Sequence, residues 1–271
     1  MIVKSMSESA IYAISHAFGY YDYGEETGMV YAFSGQEPTA QYICAYVRGM
    51  LRGGFLHTTS ERGEGYIAYK RPKEKLGFKT LWPIATGMLH NSSMKRLMRF
   101  AMAIKKGGKS LQERMDKEKK PYIFVGMVCV CEKYQGQGYM RKVMDIAFAE
   151  GDRLRVPVIL ETDARSKCDK YVHLGMELAG TRDLGEFGKM YDLIKYWRYQ
   201  DRRDHKGHHP MPACRTCGAP PRHIYSRSLF DVRGLTSLCK KASDRYVRSF
   251  FVQNGRKTGE KIIKKKILKR T

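Results

Sequence analysis

A mixed α/β fold is predicted for this chain by three observations. An apolar run, Tyr122-Ile-Phe-Val-Gly-Met-Val-Cys-Val130, has the β-branched and aromatic content of a buried strand. It passes through Gln135-Gly-Gln-Gly138 into a stretch with Met140, Val143, Met144 and Ala147 at helical spacing. A second short apolar run, Val156 to Glu161, follows as the next parallel strand would. Upstream of both, helical apolar periodicities flank a hairpin pattern, so helices and strands belong to one chain segment.

The elements can be justified in order. Ser7 to Tyr21 carries Ala10, Ile11, Ile14, Ala17 and Phe18 at helical spacing, with Ser7 or Ser9 as the cap. Met29 to Phe33 is predicted as a first strand. Thr39 to Leu51 is a second helix with Ile43, Val47, Met50 and Leu51 on its apolar face, ended by Gly53-Gly54. Phe55 to Thr59 and Tyr66 to Tyr69, joined through Glu61-Arg-Gly-Glu-Gly65, read as a hairpin. Residues 76 to 120 are helix-rich. There Met94, Leu97, Met98, Ala101 and Ile104 form a stripe of the kind that usually belongs to a core, backed by Lys95, Arg96, Arg99, Lys105 and Lys106. Ser110-Leu-Gln-Glu113 is a capping box before another helix. Glu177 to Thr181 and Lys189 to Tyr196 read as two closing strands around a Gly185/Gly188 turn.

The glycine-containing turn carries the chemistry. A strand that feeds through glycines into a helix leaves the first-turn N–H groups unpaired, and the helix dipole adds partial positive charge there. Such an end binds anions, phosphate above all. No Gly-Lys-Ser/Thr follows, which excludes a Walker loop, and the three-glycine dinucleotide fingerprint is absent.

Gln135-Gly136-Gln137-Gly138-Tyr139-Met140 resembles the acyl-CoA pyrophosphate loop of the GCN5-related N-acetyltransferases, Gln/Arg-x-x-Gly-x-Gly/Ala, with Met140 where the family has Gly or Ala. Tyr171-Val-His-Leu-Gly-Met176 is similar to the family's Tyr-x-x-x-Gly-Phe segment, and the elements from Tyr122 to Lys195 follow the family's order. The resemblance implies the acyl-CoA N-acyltransferase (GNAT) fold over residues 1–198, with the cofactor core at 121–196 and a basic extension at 199–271. It implies acetyl-CoA as the acyl donor, with the acetyl group moved directly to a primary amine of a small molecule or peptide.

Within that resemblance Val128, Cys129 and Val130 supply main-chain groups to the pantetheine arm, and the amides of Gln135, Gly136, Gln137, Gly138, Tyr139 and Met140 hold the pyrophosphate. A splayed V between this strand and the next would hold the thioester, because parted strands leave N–H and C=O groups in need of partners. Tyr171 matches the family's frequent acid, which protonates the departing sulfur; otherwise it is a tyrosine packed under the cofactor. Glu161 is the candidate base by analogy of position, ahead of His57, His173 and Glu132, with a water chain as a further route. Asp163 reads as a helix cap. Lys167 stands where the family often has Asn, and residues 76–120 would lie near the acceptor groove.

Charge sets the other boundary. Residues 199–271 hold 19 Lys/Arg against 5 Asp/Glu, contributing +14 of the formal +23. A basic extension is either a solvated segment or a contact with RNA, DNA or an anionic surface. This keeps open a second function class: a nucleic-acid-binding protein with a weakened acetyltransferase-like core, in which Met140 and Lys167 are the damage. Cys214-Arg-Thr-Cys217 with His205, His208, His209 and Cys239 resembles half of a zinc knuckle, an incomplete ligand set, and no metal is assigned. Lys261 to Arg270 reads as a basic amphipathic helix or an unstructured end. Apolar content of 42%, no membrane-spanning run and no signal-peptide core at Met1-Ile-Val-Lys-Ser lead to the expectation of a cytoplasmic protein. Seven cysteines, several on apolar runs (Cys44, Cys129, Cys131), suit a reducing compartment.

Overall fold

A computed structural model describes residues 1–198 of the 271. The Cys214/Cys217 pair with its histidines and Cys239, and the Lys261–Arg270 stretch, lie outside the described residues. The elements are α1 (Glu8–Gly19), α2 (Gly28–Ala32), α3 (Gln36–Gly53), β1 (Leu56–Thr58), β2 (Gly65–Lys70), α4 (Phe78–Asn91), α5 (Met94–Lys106) and α6 (Leu111–Lys117), followed by β3 (Ile123–Val130), α7 (Tyr139–Leu154), β4 (Val158–Thr162), α8 (Arg165–His173), β5 (Glu177–Asp183) and β6 (Lys189–Lys195). Among the described residues no helix is long and apolar enough to cross a membrane.

The strands form one sheet in the order β1-β2-β3-β4-β6-β5. Among the described residues only the central pair, β3 with β4, is parallel; α7 makes the crossover, as a parallel connection requires. The β1–β2 hairpin and the β5–β6 hairpin extend the sheet antiparallel on either side. Helices α7 and α8 cover one face. Their Val143, Met144, Ala147, Phe148, Cys168 and Tyr171 pack with Ile67, Tyr69, Ile123, Val125, Val158, Leu160, Tyr191 and Leu193 from alternate strand positions. Each aliphatic side chain buried in this way contributes about 1.5–3 kcal/mol. On the other face Leu111 and Met115 of α6 pack on Tyr122, Ile159 and Ile194 over the β4–β6–β5 half, and α1 and α3 contact β3 and β1.

Local signals set several boundaries as read. The Ser7 hydroxyl accepts from the Ala10 amide at the start of α1, and the Ser110 hydroxyl accepts from Glu113 at the start of α6. Gly54 ends α3 in the left-handed region (φ 75°), open to glycine without strain.

Two expectations are corrected. Met29–Phe33 is not a strand: Gly28–Ala32 is a short helix whose Met29 amide donates to the Asp163 carboxylate, 134 residues away in sequence. The extended segment near β1 is instead Met1–Val3, where Val3 N–H donates to Leu56 and Thr58 N–H to Met1. The methionine stripe of α5 is not core either. Of the stripe, Met94 and Met98 are 42% and 59% exposed while Leu97, Ala101 and Ile104 are half-buried, and α5 has no buried residue. Its inward contact includes Phe100, whose ring meets Phe187 at 5.1 Å.

Candidate active site

The central parallel strands part. Their register runs Ile123↔Val158, Phe124↔Ile159, Val125↔Leu160 and stops, although β3 continues to Val130 and β4 to Thr162. The cause lies in β3. On its other edge Ala68 pairs with Met127 and Tyr69 with Val125, so Gly126 is an extra residue opposite the Ala68/Tyr69 step, a β-bulge that bends the strand. Parity reverses there. Ile123 and Val125 before the bulge, and Val128 and Val130 after it, all face the α7 cluster. The peptide groups of residues 126–130 on the β4 side therefore face a gap instead of a strand. Gly126 is exposed.

At the end of this strand a 3-10 turn, Glu132–Tyr134, leads into the glycine turn. Gly136 (φ 74°) and Gly138 (φ 76°) both lie in the left-handed region, and a Cβ built on either meets nothing within 4 Å. The turn is thus open to a ligand on its outer side, with all four residues from Gln135 to Gly138 exposed. The Gln135 amide donates to the Glu132 carbonyl, so it is committed and drops out of the predicted set of anion donors. The amides of Gly136 to Met140 make no such bond among the described residues, and α7, 16 residues long, adds its N-terminal dipole. Tyr134 and Tyr139 brace the turn at 5.3 Å, with Lys133 over one ring and Lys142 over the other. Met140, the departure from the family pattern, packs against the α7 cluster and does not fill the space above the glycines. A cleft of about 440 Å³ opens beside it, lined by Gly138, Met140, Arg141, Ser166, Lys170 and His173 among others. Room, free amides and two cations at one helix start fit a diphosphate.

Tyr171 enters from α8 and is buried in the α7/α8 cluster. Burial pushes its phenol above the ordinary value, and the neighbouring Asp163, Cys129 and Tyr21 push it further. The group is therefore protonated at neutral pH, the form an acid needs. Asp163 does not cap α8, whose N-cap position is Ala164. Its carboxylate accepts from Tyr23 (2.7 Å), the Met29 amide (2.8 Å) and Lys167 Nζ (2.9 Å). Burial raises the Asp163 pKa, but the Lys167 charge and these hydrogen bonds outweigh it, and the net direction is down. Lys167, at the family's Asn position, is spent on this pair and on the rings of Tyr21 and Tyr23.

Glu161 sits on β4 one residue past the last parallel pair, on the face opposite Tyr171, where its neighbours are charged. It lies directly across from Asp192 of β6, and Arg182 Nη2 bridges the two at 2.7 and 2.9 Å. Asp192 also accepts from the Leu111 amide, fastening the start of α6 to the sheet. Arg182 serves both buried carboxylates, and Arg114 adds a longer contact to Asp192 at 3.8 Å, so Glu161 shares its one arginine with a second carboxylate. Burial pushes Glu161 up to about 7, Arg182 pulls it down, Asp192 pushes it up again, and the Ser110 hydroxyl gives some relief. Burial likewise raises Asp192. The other Glu161 oxygen, Oε1, is buried with no hydrogen-bond partner among the described residues.

The remaining candidates separate from the gap. His57 stacks on Tyr69 at 4.4 Å, its Nδ1 is 3.1 Å from the Phe55 carbonyl oxygen, and burial lowers its pKa. Glu132 is exposed on the 3-10 turn, and His173 lines the cleft at the end of α8. Sequence reasoning missed the Arg182–Asp192 pair, the Gly126 bulge and Tyr46 of α3, whose hydroxyl lies against Gly126. A glycine interrupting an apolar strand run was the available signal.

No protein-family model and no curated protein matches the chain. Among solved structures it is similar to arylalkylamine N-acetyltransferase 2 from Aedes aegypti, at 12% identity over 73% of this chain and 99% of that one, with a TM-score of 0.47. It is similar to an N-acetyltransferase from Staphylococcus aureus at 13% identity, over 72% of this chain and 100% of that one, TM-score 0.44. It also matches a chain of the NatC complex bound to Gag peptide and CoA at 15% identity and TM-score 0.31, covering 51% of this chain and 64% of that one. Likeness at these values is no guide to donor or acceptor. In its order of elements and in the parting of its central parallel strands, the chain has the mixed α/β fold implied by its resemblance to the GCN5-related N-acetyltransferases.

Proposed function

We propose that this protein is an acetyl-CoA-dependent N-acetyltransferase that moves an acetyl group directly to a primary amine of a small molecule or peptide. The observation that carries the reading is the parting of β3 from β4 after Val125 and Leu160, ending at an open glycine turn on the N-terminus of α7. A diphosphate held at that turn places its tether along Val128, Cys129 and Val130, whose peptide groups on the β4 side have no strand to pair with. The amides of Gly136, Gln137, Gly138, Tyr139 and Met140 seat the diphosphate, and Arg141 and Lys170 add charge from the adjoining cleft.

Bound acetyl-CoA supplies an acetyl group activated as a thioester. The chain's own residues then handle two protons. Glu161, with its carboxyl at about 7 and one buried oxygen unpartnered among the described residues, takes a proton from the acceptor's ammonium through one water, freeing the nitrogen lone pair that attacks the thioester. Tyr171, held protonated, gives its proton to the departing sulfur. The two are carried on opposite faces of the sheet, and the reading has base and acid act from different sides of the reacting carbon. Unpaired amides of the parted strand stabilise the negative charge developing on the carbonyl oxygen.

The test is calorimetric titration of the full chain with CoA, followed by release of free thiol from acetyl-CoA across a panel of amines. Micromolar binding and amine-dependent thiol release are expected; absence of CoA binding refutes the reading. The nucleic-acid alternative draws no support from its two markers, since Met140 packs on the edge of the α7 cluster without filling the glycine turn and Lys167 is held by Asp163.

A further inference from the structure

Gly126 is a glycine for a reason other than backbone conformation. It is absent from the positive-φ residues, so its dihedrals are open to any side chain. What excludes a side chain is proximity. A Cβ built there would stand 2.4 Å from the Tyr46 hydroxyl, whereas the nearest other atom, on the Phe124 ring, is 3.4 Å away. The bulge therefore brings the exposed backbone of β3 against one phenol, at the residue where β3 leaves β4. That hydroxyl has no hydrogen-bond partner among the described residues, and burial keeps the phenol protonated by raising its pKa well above the ordinary value. One helical turn earlier, Tyr42 stacks on Phe33 at 4.3 Å and its own hydroxyl is buried without a partner among the described residues. The Tyr46 ring lies tilted against that of Tyr42 at 6.5 Å, and its unspent hydroxyl borders Gly126 at the mouth of the gap. An unspent donor on a half-buried ring, beside a backbone with no strand to pair with, is available to an acceptor that enters the gap.

Resting on the acetyl-transfer reading, we infer that the Tyr46 hydroxyl donates a hydrogen bond to the acyl carbonyl oxygen beside Gly126, joining the strand amides as a side-chain member of the oxyanion site. Its proton stays on oxygen throughout. The amine nitrogen forms the C–N bond, the C–S bond breaks with its electron pair going to sulfur, and the protons pass through Glu161 and Tyr171. The charge on the carbonyl oxygen rises and falls against the Tyr46 O–H, a donor fixed before reaction begins.

The test reads the bond itself and needs no acceptor amine. Isotope-edited infrared difference spectra are taken of acetyl-CoA labelled at its acyl carbonyl, bound to the full-length wild type and to Tyr46→Phe. The wild type is expected to lower the carbonyl band relative to free acetyl-CoA. Tyr46→Phe is expected to move it back to higher wavenumber, with affinity changed by no more than a few-fold and the melting temperature preserved. Turnover on any amine accepted by the wild type falls on the order of 10²–10³-fold with KM little changed, the loss expected for one oxyanion donor. Gly126→Ala keeps the phenol but displaces it, and gives the same band shift; it stands in if Tyr46→Phe does not fold. A band at the same position in the wild type and in Tyr46→Phe, both loaded, overturns this inference and leaves the transferase reading intact. Failure of the wild type to bind acetyl-CoA overturns the transferase reading and this inference with it.

Discussion

Replacing Glu161 by Gln should stabilise the protein, and the gain should depend on pH. The carboxyl stands at about 7 in the fold, against 4.5 when unperturbed. At about 1.4 kcal/mol per tenfold change, ionising it in place costs at most about 3 kcal/mol more than ionising it in the unfolded chain. The sign follows from proton counting. Between pH 4.5 and 7 the folded state holds a proton that the unfolded state has released, so wild-type stability falls as pH rises through this window and levels off above it. Gln keeps the size of the side chain and an acceptor for Arg182, carries no charge, and leaves the whole guanidinium to Asp192. The variant and wild type should therefore be close to equally stable at pH 4.5. At pH 8 the variant should lead by up to about 3 kcal/mol, roughly 6–12 °C in melting temperature for a domain of this size. Urea titration of both proteins at the two pH values measures this directly, and taking the difference cancels every other titrating group that the substitution leaves alone. An equal stability difference at both pH values would refute the reasoning: Glu161 would then titrate as an ordinary carboxylate and lose its claim as the base. The same protonation should appear in kcat/KM as a rising limb near pH 7, absent from what activity Glu161→Gln retains.

Three other outcomes are expected. Gly138→Ala places a methyl group in the open space of the turn and strains a φ of 76°; CoA affinity measured by calorimetry should drop at least tenfold while stability falls by only about 1–2 kcal/mol. Asp163→Ala removes a largely buried carboxylate that holds Tyr23, Met29 and Lys167, and should cost about 3–5 kcal/mol in chemical denaturation. Because the folded pKa of Asp163 lies below 3.8, that contribution is complete above the ordinary value and disappears only as pH falls through the lower one. Met98→Lys, at a 59% exposed position on α5, should change stability by less than about 0.5 kcal/mol; a loss of 2 kcal/mol or more would mean that the methionine face is covered after all.

The half of the fold from Tyr122 onward was legible because its signals are local. β-branched runs mark β3 and β4, glycines mark the turn, and the helical period places the start of α7 at Tyr139, where it is found. The Met29–Phe33 segment was not, since five apolar residues have no distinctive period and the group that secures the helix, Asp163, is remote in sequence. The α5 stripe shows why amphipathicity and burial are different properties: periodicity reports which face is apolar and is silent on whether anything covers it. At the site, the glycine turn is readable as an anion seat, but the sequence does not reveal that the Glu132 carbonyl already holds the Gln135 amide. Glu161 could be picked as a carboxylate at a strand end. Its elevated pKa could not be foreseen, because the Asp192 and Arg182 that set it arrive from strands whose pairing the chain does not announce.

The grip of Asp163 on Tyr23 and Met29 has a mechanical corollary. The segment linking α1 to α2 hangs from the residue just beyond β4 and is pinned again where Glu26 accepts from the Arg165 amide and from the Tyr191 hydroxyl. Lifting that segment alone would strand a carboxylate among apolar neighbours with only a lysine for company. The segment and the opening turn of α8 are therefore tied at two carboxylates, and displacing one without the other breaks the hydrogen bonds at both.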